Sequence, residues 1–329
     1  MQAYLFTDPK QSGLTNLRQE TVSTPKPGPE QVLIKVNSIG LNPVDYKLIS
    51  QPLPNFKYPH IFGLDAAGIV EAVGENVTRF KPGDRVSGHN NLQNDGVFAE
   101  YAIFPEYCLT KLPDNVSFET ASALLCGAMT AYQAIFRKMN LTGKKNILIH
   151  AGAGGVGSIA IQLAKLQGLK VITTVSTAKT AFVEKFQPDK IIDYKNQNVT
   201  AEIMKYTNNS GVDLILNTVS GAEAKLDVTE RLSYNGELVC IVDGPTLDDN
   251  DILFDKGLSV TTLNLGGAHH GNSLTQKKDL GIMAGELLQL ASQKRIDPSI
   301  TEVLPFDQLV DGLEMLLHRD SVGKIIVRI

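Results

Sequence analysis

The stretch Gly152-Ala153-Gly154-Gly155-Val156-Gly157 has the spacing G-x-G-x-x-G and stands between two runs of different periodicity. Before it comes Ile147-Leu148-Ile149-His150, a continuous apolar run suited to a buried strand, and after it Ser158–Leu166, spaced as a helix. In that setting the glycines have separate tasks. Gly152 permits the tight turn, Gly154 lets the backbone approach a pyrophosphate, and Gly157 lets helix and strand pack closely. The helix that follows offers free N–H groups and the positive end of its dipole. Gly152, Gly154, Gly155, Val156 and Gly157 are therefore candidate dinucleotide-binding residues. An acid about 20 positions further on would bind the ribose hydroxyls of NAD. The chain there reads Val175-Ser176-Thr177-Ala178-Lys179, with no carboxylate. A hydroxyl pair and a lysine suit the 2′-phosphate of NADP, so NADPH is the expected cofactor.

Other chemistries find little support. The three cysteines, Cys108, Cys126 and Cys240, are too far apart for a disulfide framework or a closely spaced structural zinc site. Cys126 reads as a small apolar residue. His269-His270 is a tempting ligand pair, but adjacent side chains diverge and the flanking glycines suggest a mobile loop. No metal site is expected. No Ser-His-Asp arrangement or carboxylate pair points to hydrolysis.

The elements that must carry these residues fall into two textures. The first third is β-rich, with strands expected at Gln31–Gly40, Ala66–Val73 and Gly96–Phe104 between turns such as Pro27-Gly28-Pro29 and Lys81-Pro82-Gly83-Asp84. Short strands of this kind suggest a partly open barrel. Phe118–Lys138 is spaced as a helix, with Ser117 as its N-cap. Strands then alternate with helices: Asn146–His150, Lys170–Val175, Lys190–Asp193, Val212–Asn217, Glu237–Val242 and Ser259–Leu265 are strands. Helical stretches lie at Val156–Gln167, Ala201–Tyr206, Ala222–Ser233 and Lys277–Gln293. This is the pattern of a doubly wound parallel sheet. The tail, Ile300–Ile329, returns to strand–helix–strand and is expected to pack on the first domain.

At 329 residues the chain suits two domains. Apolar content of 43% and charged content of 20% are ordinary for a globular protein. A net charge of −4 argues against a nucleic-acid partner. Met1–Thr7 runs straight into strand-like sequence and no apolar run approaches a bilayer span, so a cytoplasmic protein without membrane association is expected.

Taken end to end, the chain resembles the medium-chain dehydrogenase/reductases, and among them the quinone oxidoreductases related to zeta-crystallin. The resemblance is carried by Gly40-Leu41-Asn42-Pro43-Val44-Asp45, Gly63-Leu64-Asp65-Ala66-Ala67-Gly68 and Phe80-Lys81-Pro82-Gly83-Asp84-Arg85-Val86. Gly96-Val97-Phe98-Ala99-Glu100-Tyr101, Thr130-Ala131-Tyr132, Ala151–Gly157 and Gly323-Lys324-Ile325-Ile326-Val327 continue it in order. It implies a GroES-like β-barrel catalytic domain of residues 1–122 and 300–329, with a Rossmann NADP-binding domain at 123–299 between them. It also implies roles. Ser176, Lys179 and Tyr194 would surround the 2′-phosphate, and Asn42 and Thr130 would lie near the nicotinamide. Leu263, Leu265 and Lys324 would complete the cofactor cleft, and Tyr46 is a candidate for contact with substrate. Asp45 reads as a turn-stabilising acid. Asn217, a candidate cofactor contact, stands where many relatives have Asp. Pairing of the edge Ser259-Val260-Thr261-Thr262-Leu263 would make a homodimer.

Zinc-dependent relatives place a ligand where this chain has Asn42, and Gly63-Leu64-Asp65 replaces their Gly-His-Glu. Without a Lewis acid to stabilise an alkoxide, alcohol oxidation is disfavoured. Conjugated acceptors delocalise the incoming charge onto a distant oxygen, so a quinone or an enone is the expected substrate. The alternatives are an enone or alkenal double-bond reductase, an NADPH-binding protein without turnover and a zinc alcohol dehydrogenase. The pocket walls depend on the loops Ser50–Tyr58 and Gly266–Ser273.

Overall fold

Alternation at Gln31–Gly40 produces the central strand of the first unit, because it buries Val32, Ile34 and Val36 on one side of a sheet. The structure is a computed structural model and describes residues 1–8, 10, 13–51 and 56–329. Residues 52–55 of the expected pocket loop lie outside the described residues.

The chain begins with β1 (Gln2–Phe6), β2 (Leu17–Thr21), β3 (Gln31–Gly40), the helix α1 (Pro43–Ser50) and β4 (His60–Ile61). β5 (Asp65–Val73), β6 (Arg85–His89), β7 (Tyr101–Pro105) and β8 (Leu109–Lys111) follow, then α2 (Phe118–Ala123) and α3 (Cys126–Gln133). These strands form a small sheet, β2-β1-β4, and most of a larger one. The second region runs β9 (Asn146–Ile149), α4 (Gly157–Leu166), β10 (Lys170–Val175), α5 (Thr180–Glu184), β11 (Lys190–Asp193) and α6 (Val199–Tyr206). It continues through β12 (Val212–Asn217), α7 (Gly221–Leu226), β13 (Leu232–Cys240), α8 (Asp251–Asp255) and β14 (Ser259–Thr262). The chain then returns through α9 (Leu274–Ser292), β15 (Ile300–Pro305), α10 (Leu309–Leu317) and β16 (Lys324–Arg328). β16 pairs antiparallel with β3, which completes the sheet β15-β16-β3-β5-β6-β8 with β7 on the other end of β3. The tail thus packs on the amino-terminal region, as expected.

The second sheet has the order β11-β10-β9-β12-β13-β14 and every pairing is parallel. Its middle strands bury Ile147, Leu148 and Ile149 of β9 and Leu214, Ile215 and Leu216 of β12, the runs expected of strands covered on both faces. The order reverses between β9 and β12, so the crevice for a ligand lies beyond their carboxyl ends. This is the GroES-like and Rossmann combination that the sequence implied.

Some expectations need correction. The chain divides into Met1–Met129 with Gly266–Ile329, and Thr130–Leu265, so the boundaries expected at 122 and 299 both move. α9 continues the βα rhythm in sequence, yet its buried face of Leu280, Met283, Ala284, Leu287 and Leu288 serves the first unit. Gly281 seats it there: a Cβ at that position would lie 2.9 Å from Tyr107 O and 3.0 Å from Leu109 O. The helix read over Phe118–Lys138 breaks after Ala123, because the Cys126 N–H turns to the Asp65 carboxylate, 2.9 Å away. Ser117 does cap it, accepting from the Thr120 N–H. The expected strand at Gly96–Phe104 begins only at Tyr101. Gly96, Val97 and Phe98 instead donate to the carbonyls of Ile61, Gly63 and Phe62.

Candidate active site

The glycine turn follows β9 and opens α4, and its shape depends on missing side chains. A Cβ on Gly152 would sit 2.2 Å from the Thr173 hydroxyl, and one on Gly157 would sit 2.4 Å from Ala151 O. Gly154 differs: it is exposed, and a Cβ there would meet only Ala151 O at 3.4 Å. The first and last glycines are needed for packing, whereas Gly154 leaves a face open. The turn leads directly into the N-terminus of α4, where the first N–H groups of a helix have no intrahelical acceptor. A glycine turn opening a helix N-terminus fits the pyrophosphate of a dinucleotide.

Ser176 follows β10, Lys179 closes a short turn after it, and Tyr194 follows β11 with its N–H donating to Val175 O. The parallel pairing of β10 with β11 therefore brings Tyr194 beside the segment holding Ser176 and Lys179. The same pairing brings a carboxylate. Asp193 accepts the Thr177 hydroxyl, the Asn196 amide at 2.8 Å and the Lys195 N–H at 3.0 Å. These hydrogen bonds hold its carboxyl below the usual range. The acid missing after β10 is thus partly replaced by one from β11, spent on fixing the turn.

In the first unit, four polar groups converge on Asp65, which is fully buried at the start of β5. Its Oδ2 receives the Asn42 amide at 2.8 Å, the Cys126 N–H at 2.9 Å and the Lys324 ammonium at 3.2 Å. Its Oδ1 meets His89 Nδ1 at 2.9 Å. Burial alone would raise this carboxyl, but Lys324, His89 and Asn42 outweigh it and hold it low. Lys324 also donates to Asn42 Oδ1 at 2.6 Å, so Asn42 and Lys324, expected separately, share one network. Beyond His89 lies His269, with ring centroids 5.7 Å apart, and Tyr107 Oη is 2.9 Å from His269 Nδ1. His269 was expected in a mobile loop. It is 5% exposed, and burial lowers its pKa to about 3, so it stays neutral. His270 faces outward.

Asp65, His89 and Cys126 place three potential ligand atoms within 4.8 Å of one another. They do not fit a zinc ion. The Lys324 ammonium already provides the cation on Asp65, 3.2 Å from its Oδ2.

The remaining expected residues are placed as follows. Tyr46 is half-buried on α1, and Asp45 closes the start of that helix by accepting the Asn42 N–H at 2.8 Å. Thr130 is buried on α3 at the start of the second unit. Leu263 and Leu265 are buried after β14. Asn217 ends β12 and donates to Asp227 Oδ2 at 2.8 Å. Asp65 and His89 were not singled out as site residues. Their types were visible, but nothing in the spacing of 24 positions announces that β5 and β6 pair them directly.

Comparison with known proteins agrees with this architecture. The family "Alcohol dehydrogenase GroES-like domain" matches residues 28–114, and "Zinc-binding dehydrogenase" matches residues 155–276. Human quinone oxidoreductase is 31% identical over 314 residues, covering 93% of this chain and 91% of that protein. The crystal structure of a quinone oxidoreductase from Pseudomonas syringae superposes with a TM-score of 0.87 at 30% identity, covering all of both chains. A mycobacterial protein solved in complex with NADPH superposes at 0.85 with 27% identity, again over all of both chains. The chain belongs to the medium-chain dehydrogenase/reductase superfamily, in its quinone oxidoreductase branch. It is an oxidoreductase with a nicotinamide cofactor and a small-molecule substrate.

Proposed function

We propose that this oxidoreductase reduces quinones or related conjugated carbonyls with NADPH and without zinc. The observation that carries this reading is the Lys324 ammonium on Asp65, which occupies the carboxylate that a catalytic metal would require. NADPH, when bound, supplies the hydride. The chain's own residues orient and hold. Gly152, Gly154, Gly155, Val156 and Gly157 take the pyrophosphate, while Ser176, Lys179 and Tyr194 take the 2′-phosphate. Asn217, Leu263 and Leu265 line the cofactor. Asn42, fixed by Asp65 and Lys324, Thr130 and Tyr46 serve the nicotinamide and the acceptor. A conjugated acceptor needs no Lewis acid, because its carbonyl oxygen takes the charge and collects a proton afterwards.

The test follows cofactor oxidation at matched NADPH and NADH concentrations with one simple quinone and one alkyl enone. Preference for NADPH with turnover is expected, and the better acceptor separates quinone reduction from double-bond reduction. Lys179→Ala should raise KM for NADPH about tenfold, as loss of one charge-assisted phosphate contact would, and leave NADH unchanged. NADH preference would overturn the phosphate site. Stoichiometric zinc in the purified protein, with loss of activity on chelation, would overturn zinc independence. Tight NADPH binding without turnover of any acceptor would make it a binding protein.

A further inference from the structure

A second buried polar network lies at the switch point of the parallel sheet, directly beneath the glycine turn. His150 follows β9 and is 2% exposed; Asp227 and Thr174 are 0% and 3% exposed. Asp227 Oδ1 is 3.0 Å from His150 Nε2, and Thr174 Oγ1 is 3.2 Å from His150 Nδ1. The same Thr174 oxygen receives the Ala151 N–H at 3.1 Å, while Thr174 O receives the Gly152 N–H at 3.0 Å. Ala151 adopts φ 51°, a left-handed conformation that costs a non-glycine residue ~1 kcal/mol and persists only when its neighbours enforce it.

Hydrogen-bond direction runs one way through this network. Asp227 also receives Arg231 at 2.8 Å and Asn217 at 2.8 Å. Burial would raise its carboxyl, but His150, Arg231 and Asn217 hold it low, so it acts only as an acceptor. With a neutral imidazole, His150 donates through Nε2–H and its Nδ1 accepts the Thr174 O–H. The Thr174 oxygen is then free to accept the Ala151 N–H. In that tautomer each atom of the chain has one role.

We propose that Asp227, His150 and Thr174 are positioning residues that hold the glycine turn in its phosphate-binding shape through Ala151. The proposal rests on the reading of that turn as the dinucleotide site. Ala151 O accepts the Gly154 N–H at 3.0 Å, so the pivot that Thr174 holds also sets the open face at Gly154. A rotation of Ala151 would move the backbone of the turn that follows it.

The test measures NADPH binding by nicotinamide fluorescence, which suits a chain with no tryptophan. Thr174→Val keeps the shape of the side chain and the branching that suits a strand, but removes the hydroxyl. It should raise the Kd for NADPH about tenfold, and Thr174→Ser should restore binding to within about twofold. Asp227→Asn carries the same test through a spectroscopic signature: nitrogen chemical shifts of His150 should report Nε2–H in the wild type and Nδ1–H in the variant, with weakened binding. Wild-type affinity in Thr174→Val, or an unchanged His150 tautomer and Kd in Asp227→Asn, would overturn the proposal. Wild-type protein that binds no NADPH would overturn the reading beneath it instead.

Discussion

Asp45 and Asp65 share one buried neighbourhood, yet their carboxyls are driven in opposite directions. Asp65 has four donors around it and is held low. Among the described residues Asp45 has one, the Asn42 N–H, and its buried Oδ1 has no partner. Burial, aided by the Asp65 charge, raises Asp45 to about 8 against the opposing effects of Asn42 and Lys324. Opposite environments for two acids are a common device where one must stay charged and the other neutral. The stability consequences differ in sign. Asp65 contributes stability above the ordinary carboxylate range, lost as pH falls through its lowered folded value. Asp45 keeps its proton when folded and loses it when unfolded, so between about pH 4 and pH 8 stability should fall as pH rises. The slope for one proton is up to ~1.4 kcal/mol per pH unit. Asp45→Asn retains an acceptor for the Asn42 N–H and should remove that slope. Urea unfolding at several pH values checks it; parallel curves for wild type and variant would show that Asp45 ionises normally.

At the scale of elements, the glycine turn separates two demands that the motif merges. Gly157 lies against the backbone of Ala151 and Gly152, so Gly157→Ala forces backbone movement and should cost ~1–3 kcal/mol of stability. Gly154 has room, so Gly154→Ala should leave the melting temperature near wild type and still weaken NADPH binding, because the methyl group would stand on the open face. Calorimetric melting beside a binding titration distinguishes the two. Equal loss of stability in both variants would refute the division. Elements were legible where one local signal decided them. β10, β11 and β12 match the expected strands residue for residue, as buried strands bounded by polar turns should. α2 and α3 were not separable, since the break between them depends on Asp65, more than 50 residues away.

Across the whole molecule, β14 forms one edge of the parallel sheet, paired only with β13 among the described strands. Val260 and Thr261 are half-buried and Ser259 and Thr262 exposed, leaving a row of backbone groups available for pairing. We propose that two copies join along this edge. Light scattering should give twice the chain mass of 35.7 kDa, and a proline at Val260 should shift it to the monomer. A wild-type mass of one chain rejects the pairing. No described helix is long and apolar enough to cross a membrane.

The sequence by itself determined the βα alternation, the glycine turn, the absence of an acid after β10 and the return of the tail, because each is written in contiguous residues. Propensity, periodicity and steric need act over a few positions, and such signals survive without a fold. Tertiary structure alone decided that α9 belongs with the first unit, that Asp193 arrives beside Thr177, and that Asp65 gathers His89, Cys126 and Lys324. It also decided that His150, Thr174 and Asp227 meet beneath the turn. Those meetings depend on strand order and register, and a buried polar side chain shows its partner only once sheet pairing has removed water from both.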